Sequence, residues 1–202
     1  MDEAFAVTNR AELCGIASEL PRYSHESRGI RFYTFPLETH RLSGTADTLN
    51  IIVRESLLPR DDLLLAGPVR VTGELRSFNN KSGVGNRLVL TIFARELEPC
   101  AGGDENHILL TCTVCKEPTL RVTPMGREIC DIILAVSRRY RRSDYIPVIA
   151  WGQQARDIAD SPVGTQLAVR GRLQSRAYTK VIDGESFQRQ AFEVSAADIF
   201  PL

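Results

Sequence analysis

The chain has 202 residues, of which 43% are hydrophobic and 25% charged, with equal numbers of basic and acidic side chains. This composition predicts an ordered globular protein of one mid-sized or two small domains, and the zero net charge argues against polyanion binding over the whole surface. The sequence contains no apolar run near the roughly 18 residues that span a bilayer, and it begins with the acidic segment MDEAFAVTNR where a signal peptide would be basic, so we expect a cytoplasmic protein.

The first half of the chain alternates between apolar runs and turn-forming residues, which is typical of a small β-domain. Strands are predicted at residues 11–20, 30–41, 49–55, 69–78 and 87–98. We expect a turn at 21–29 and a short helical or irregular segment at 56–67. Residues 79–86, NNKSGVGN, predict a hairpin tip, and their Gly-x-Gly lacks the following helix of a nucleotide-binding motif.

The second half repeats this plan after a short linker at residues 100–105. A helix is predicted at 153–159, closed by Pro162 and Gly164. Strands are predicted at residues 108–116, 127–138, 145–151, 166–175 and 187–200. The linker is short enough to keep the two halves close together.

An internal repeat relates the two halves, and it appears when the sequence is shifted along itself. A shift of 97 residues aligns Arg41 with Arg138 and Asp47 with Asp144. Later matches need shifts of 98 and 102 residues, as for residues 73–77 with 171–175 and 87–99 with 189–201. Each copy is about 95 residues long, a usual size for one domain, so we predict two tandem domains of the same fold, residues 1–100 and 105–202.

Five cysteines raise the question of a metal site, because Cys112 and Cys115 have the C-x-x-C spacing. We predict no metal, since a strand places residues three apart on opposite faces and no second C-x-x-C follows. All five cysteines are expected to be reduced thiols that act as small buried hydrophobes.

Residues 137–180 combine aromatic rings with arginines on a run that otherwise alternates like β-structure. Tyr145 and Trp151 fall on one face of a predicted strand, while small apolar residues take the other face. Rings stack on nucleobases of any sequence and guanidinium groups follow phosphates, which favours binding of single-stranded nucleic acid. The alternative is that the rings belong to the core and that the segment RRYRR is a solvated hairpin tip.

Residues 106–200 resemble the bacterial single-stranded DNA-binding protein family. The resemblance rests on four segments in the correct order, LRVTPMG (120–126), LAVSRR (134–139), DYIPVIAWG (144–152) and VRGRLQSRAY (169–178). It implies an all-β fold of two tandem five-stranded OB barrels, each with a short helix or irregular turn between strands 3 and 4.

The same resemblance implies where DNA would bind. Its four base-stacking positions fall on Tyr140, Tyr145, Trp151 and Tyr178. The neighbouring cations expected to hold the backbone are Arg138, Arg139, Arg141, Arg142, Arg172, Arg176 and Lys180.

The first copy lacks two of these rings: when the two copies are aligned, Thr48 corresponds to Tyr145 and Arg54 corresponds to Trp151. We therefore expect a degenerate binding face there, with a role in pairing and weak DNA contact. The expected secondary contacts are Arg41, Phe78, Lys81 and Arg87, while His40, Tyr33 and Arg76 are weaker candidates.

These features together predict a non-catalytic protein without cofactor or metal that coats single-stranded DNA in replication, recombination and repair. A homodimer carrying four OB folds in a bacterial cytoplasm is implied by the resemblance. The family's acidic tail does not follow the last predicted strand, which puts the recruitment of replication or repair enzymes in doubt. The alternative function is a protein-interaction module, of replication restart or of a mobile element, with reduced DNA binding. An enzyme is disfavoured because His25, His40 and His107 have no catalytic partner at useful spacing.

Overall fold

The structure is a computed structural model that describes residues 9–59, 66–81, 86–182 and 184–202, without the side chains of Arg139 and 180–182. Packing groups the described residues into two compact units. One unit contains residues 9–76 and 91–108, and the other contains 77–81, 86–90 and 109–202. The domain boundary between residues 100 and 105 stays a prediction.

Strands β1–β6 form the first barrel. They span Asn9–Ala17, Arg22–Ser27, Ile30–His40, Ala46–Arg54, Pro68–Asn79 and Leu88–Pro99, with a 3₁₀ turn at Glu55–Leu57 after β4. β1 pairs with both β3 and β5, β3 pairs with β4, and β4 runs parallel to β6, which neighbours β5. The ring of pairings is therefore closed.

Strands β7–β12 repeat this arrangement in the second barrel. They span Glu105–Val114, Thr119–Val122, Glu128–Arg138, Arg142–Trp151, Gln166–Ile182 and Glu185–Pro201, and helix α1, Gly152–Ala159, follows β10. β7 pairs with β9 and neighbours β11, β9 pairs with β10, and β10 runs parallel to β12, which pairs with β11. Both units have the five-stranded Greek-key barrel of an OB fold, with one short extra strand each, so the predicted fold class is confirmed.

The barrel interiors are filled by the apolar residues that alternate along each strand. In β4 the inward side chains Leu49, Ile51 and Val53 are fully buried, and in β10 the same holds for Ile146 and Ala150. Each such aliphatic side chain contributes about 1.5–3 kcal/mol when it is removed from water. Burial of these side chains therefore determines which face of β4 and of β10 points away from the barrel interior.

Two glycines mark a close approach of strands at matching places in the two copies. A Cβ at Gly73 would lie 2.3 Å from the Phe93 carbonyl oxygen, and one at Gly171 would lie 2.3 Å from that of Ser195. No side chain fits at that distance, so the repeat keeps glycine in both copies.

The repeat also preserves a buried ion pair. Arg41 Nη2 lies 2.7 Å from Asp47 Oδ1 in the first barrel, and Arg138 Nε lies 2.9 Å from Asp144 Oδ2 in the second. Both carboxylates are fully buried. Removing one partner of such a pair leaves a buried charge and costs about 3–5 kcal/mol.

Several predicted boundaries were wrong. The expected turn at 21–29 contains strand β2, which forms a tight hairpin with β3. Strand β11 runs to Ile182 where the prediction ended it at residue 175, whereas β12 is close to its predicted bounds, and the two strands pair along their length up to Ile182 and Glu185. Parts of the predicted segments 56–67 and 79–86, namely 60–65 and 82–85, lie outside the described residues.

The expectation of five reduced thiols was wrong for two of them. Cys14 in β1 and Cys100 just after β6 form a disulfide, with Cα atoms 6.3 Å apart. Their 86-residue separation gave no sign that the barrel brings them together. Cys112, Cys115 and Cys130 are free.

The free cysteines are poor candidates for metal ligands or nucleophiles. Burial raises the pKa of the Cys112 thiol to about 12, and burial also raises the pKa of Cys115 and Cys130. Metal binding needs the thiolate, which these surroundings disfavour. Within the described part of the chain, no cluster of three potential ligands occurs, and no helix is long and apolar enough to cross a membrane.

Candidate nucleic-acid interface

The strand register places three of the four predicted rings on one outer face of the second barrel. Ile149 in β10 is level with Ser195 in β12, and Ser195 pairs with Arg172 in β11. Paired residues share a face, and every second residue along a strand returns to it. Because β10 carries Tyr145 and Trp151 in phase with Ile149, and β11 carries Tyr178 in phase with Arg172, these three side chains lie on the same side. We call this surface the ring face.

The rings of the ring face are available to a ligand. Tyr145 is 52% exposed and Trp151 is 37% exposed, while Tyr178 is half-buried. Trp151 Nε1 donates a hydrogen bond to Ser195 Oγ at 3.1 Å, which fixes one edge of the indole. None of the three occupies the barrel interior.

Tyr140 lies apart from the ring face, in the 3₁₀ turn Arg139–Arg141 between β9 and β10. It is 88% exposed, and its backbone φ is 63°, with 53° at Arg141. Consecutive non-glycine residues in the left-handed region carry backbone strain, a feature that clusters at functional sites. The turn presents the Tyr140 ring to solvent.

The predicted cations differ in whether they already contact a carboxylate within the protein. Arg141 and Arg142 are exposed at the β9–β10 turn. Arg176 lies 3.2 Å from the buried carboxylate of Glu193, and Arg138 belongs to the Asp144 pair. Arg172 is half-buried. The side chains of Arg139 and Lys180 lie outside the described part of the structure.

In the first barrel, local contacts occupy several of the residues that were expected to contribute. Arg41 is held by Asp47, as described above, and His40 Nδ1 lies 2.8 Å from Asp104 Oδ2. The Tyr33 hydroxyl donates to Glu55 at 3.2 Å, and this hydrogen bond raises the tyrosine pKa.

The remaining secondary candidates lie on the β5–β6 hairpin. Phe78 is 47% exposed, and Lys81 and Arg87 are exposed as well. These three side chains are therefore the accessible members of the expected secondary set.

Two residues of the ring face were missed from sequence. Arg189 pairs with Tyr178, and Phe187 pairs with Lys180 and is 38% exposed. Both follow from the tight β11–β12 hairpin, whose turn contains Gly184 at φ 85°. A glycine flanked by two polar, alternating runs was the available signal.

The fold and this surface define the class, an OB-fold protein with an exposed, arginine-bordered aromatic face. The model of the single-strand binding protein family matches residues 105–201. A single-stranded DNA-binding protein of Clostridium tetani is 34% identical over 101 residues, which cover 46% of this chain and 68% of that protein. The chain belongs to the single-strand binding protein family. The family's description names binding and no reaction, in agreement with the prediction of a non-catalytic protein.

Other relatives are matched over shorter parts. Single-stranded DNA-binding protein A of Bacillus subtilis is 35% identical over 80 residues, covering 36% of this chain and 46% of that protein. The chain therefore spans about half the length of that relative. The crystal structure of the wild-type single-stranded DNA binding protein from Thermus aquaticus superposes with a TM-score of 0.74 at 20% identity, covering 96% of this chain and 92% of that one. That likeness extends the shared fold to both barrels.

Proposed function

We propose that the chain binds single-stranded DNA without strong sequence preference and protects it during replication, recombination and repair. The observation that carries the proposal is the ring face, on which Tyr145, Trp151 and Tyr178 share one exposed side of a barrel from this family. Stacking on aromatic side chains contributes roughly 1–3 kcal/mol per base and tolerates every base, because every base has a π-face.

The flanking groups supply the phosphate contacts in this proposal. Arg141 and Arg142 are the leading candidates because they are exposed beside the ring of Tyr140. Arg176 and Arg172 border the ring face, with Arg176 exchanging its Glu193 contact for phosphate on binding. The predicted roles of Arg139 and Lys180 are retained from sequence. Arg138 and Arg41 act through the buried ion pairs and support the barrels.

The proposed unit is a cytoplasmic homodimer in which residues 1–100 and 105–202 of each chain form two domains, giving four OB folds. A closed two-fold dimer is the commonest symmetric assembly of soluble proteins. The second domain provides the main DNA surface in this proposal, and the first contributes pairing and weaker contacts.

One titration tests the proposed function. Trp151 is the only tryptophan, and it lies on the ring face, so its fluorescence should be quenched when a dT oligonucleotide binds. A mixed-sequence oligonucleotide of equal length should bind with similar affinity, whereas a duplex should bind much more weakly. Light scattering on the same samples gives the mass of the complex. Unchanged Trp151 emission and unchanged mass at saturating oligonucleotide and low salt would refute the proposal.

A further inference from the structure

The end of the β5–β6 hairpin, residues 77–81 and 86–90, belongs to the same compact unit as residues 109–202. Its first anchor is a set of buried hydrogen bonds at the start of β10. The Ser77 N–H donates to Asp144 Oδ1 at 2.7 Å, and the Tyr145 N–H donates to Ser77 Oγ at 2.8 Å. Asp144 is fully buried and Ser77 is 8% exposed, so water does not compete for these bonds.

The second anchor lies at the other strand of the hairpin. The Asn86 side-chain amide donates to the Gln190 carbonyl oxygen in β12. Gln190 follows Arg189, which pairs with Tyr178 on the ring face. The hairpin end is therefore fixed at two places, one at the backbone of Tyr145 and the other next to the Tyr178 and Arg189 pair.

The exposed side chains of the hairpin end have the chemistry of the ring face. Phe78 directly follows the anchoring Ser77 and is 47% exposed. Lys81 and Arg87 are exposed, and the Asn80 N–H donates to the Arg87 carbonyl oxygen at 2.7 Å, which holds the two strands of the hairpin together. The sequence of residues 77–90 contains neither aspartate nor glutamate. A ring and two cations without acidic neighbours on the hairpin match a ligand that has both π-faces and phosphates.

We propose that this hairpin end extends the ring face, so that one single strand of nucleic acid crosses Tyr145 and Tyr178 and also contacts Phe78, Lys81 and Arg87. Phe78 stacks on a base, and the two cations neutralise phosphates of the same strand. The proposal rests on the proposed function, which it deepens by assigning DNA contact to a segment from the first half of the chain.

The test uses the full chain and a dT oligonucleotide, with Trp151 fluorescence as the readout. Phe78→Ala is expected to weaken binding about tenfold, the effect of losing one stacked base. The matched control is Tyr23→Ala, which removes a ring that is 59% exposed in β2 and belongs to the other compact unit, and it should stay within about twofold of wild type. Because both rings are about half exposed, both variants should fold, which circular dichroism checks.

A second variant tests the cations independently of the ring. Lys81→Gln combined with Arg87→Gln should lower the slope of log affinity against log salt by about 1.4, since each neutralised phosphate contributes about 0.7 for single strands. If wild type binds and quenches while Phe78→Ala and the double-cation variant behave like Tyr23→Ala, the hairpin proposal is overturned and the proposed function stands. If wild type does not bind the oligonucleotide, both are overturned.

Discussion

Tyr145→Ala is the substitution that most directly tests the ring face. The side chain is 52% exposed, whereas its backbone N–H is bonded to Ser77 Oγ and is unaffected by truncation. Full truncation of a core aromatic costs about 3–5 kcal/mol, so a half-exposed ring should cost about 1–2 kcal/mol of stability. Since domains are typically stable by about 5–15 kcal/mol, the variant should remain folded.

The expected loss of affinity follows from the stacking energy. One ring contributes roughly 1–3 kcal/mol per base, and each 1.4 kcal/mol is a factor of ten, so Tyr145→Ala should weaken binding by about 5- to 150-fold. Tyr145→Phe keeps the ring and should stay within about twofold of wild type. The comparison separates stacking from any contribution of the hydroxyl group.

The assay is a titration of dT oligonucleotide at several salt concentrations, read by the fluorescence of Trp151, which both variants retain. If Tyr145→Ala binds the oligonucleotide with wild-type affinity and its Trp151 fluorescence is quenched as strongly, Tyr145 does not stack on a base. The reasoning that joins strand register and exposure to base contact would then be refuted.

Three further predictions concern charge, the disulfide and a buried thiol. Arg141→Gln combined with Arg142→Gln should lower the salt slope of DNA affinity by about 1.4, measured by the same titration, and an unchanged slope would exclude these residues as phosphate contacts. Reduction of the Cys14–Cys100 disulfide should lower the free energy of unfolding by up to about 4–5 kcal/mol, because it releases an 86-residue closed loop; identical urea curves with and without dithiothreitol would contradict this. The pKa of Cys112 is raised by burial from 9.0 to about 12, so the unfolded chain loses this proton first and stability should fall as pH rises above about 9, by at most about 1.4 kcal/mol per pH unit. Cys112→Ala should flatten that dependence in urea denaturation at pH 8, 9 and 10, and an equally steep decline in the variant would assign it to other groups.

Strand alternation and the repeat predicted two tandem β-domains and the shared face of Tyr145 and Trp151, whereas the closed barrels were implied by the family resemblance. The strands and the shared face depend on local periodicity, which burial on one side of a strand imposes. Strand β2, with the sequence RYSHES, escaped prediction because all six residues are exposed and no apolar alternation marks it. The outer part of β11, beyond residue 175, was also missed, and without its pairing to β12 the place of Phe187 and Arg189 on the ring face could not be predicted.

Other features depend on contacts between distant residues, which one sequence does not reveal. Cys14 and Cys100 meet only because the barrel closes. Arg138 stood among the expected DNA contacts, yet its partner Asp144 is a buried acid six residues away, and no spacing rule distinguishes this pair from a solvated turn. The anchoring of Ser77 to Asp144 likewise joins residues 67 positions apart.

The duplicated ion pair has a consequence for engineering. Arg41–Asp47 joins the end of β3 to β4, and Arg138–Asp144 joins the end of β9 to β10. The strands β4 and β10 therefore begin with the same ion pair. Because the ion pair recurs at matching positions of the repeat, the first barrel is a suitable host for side chains from the corresponding positions of the second. Thr48→Tyr together with Arg54→Trp would copy two aromatic side chains onto it, and an increase in the length of oligonucleotide covered by each chain would show that the first barrel had gained stacking contacts.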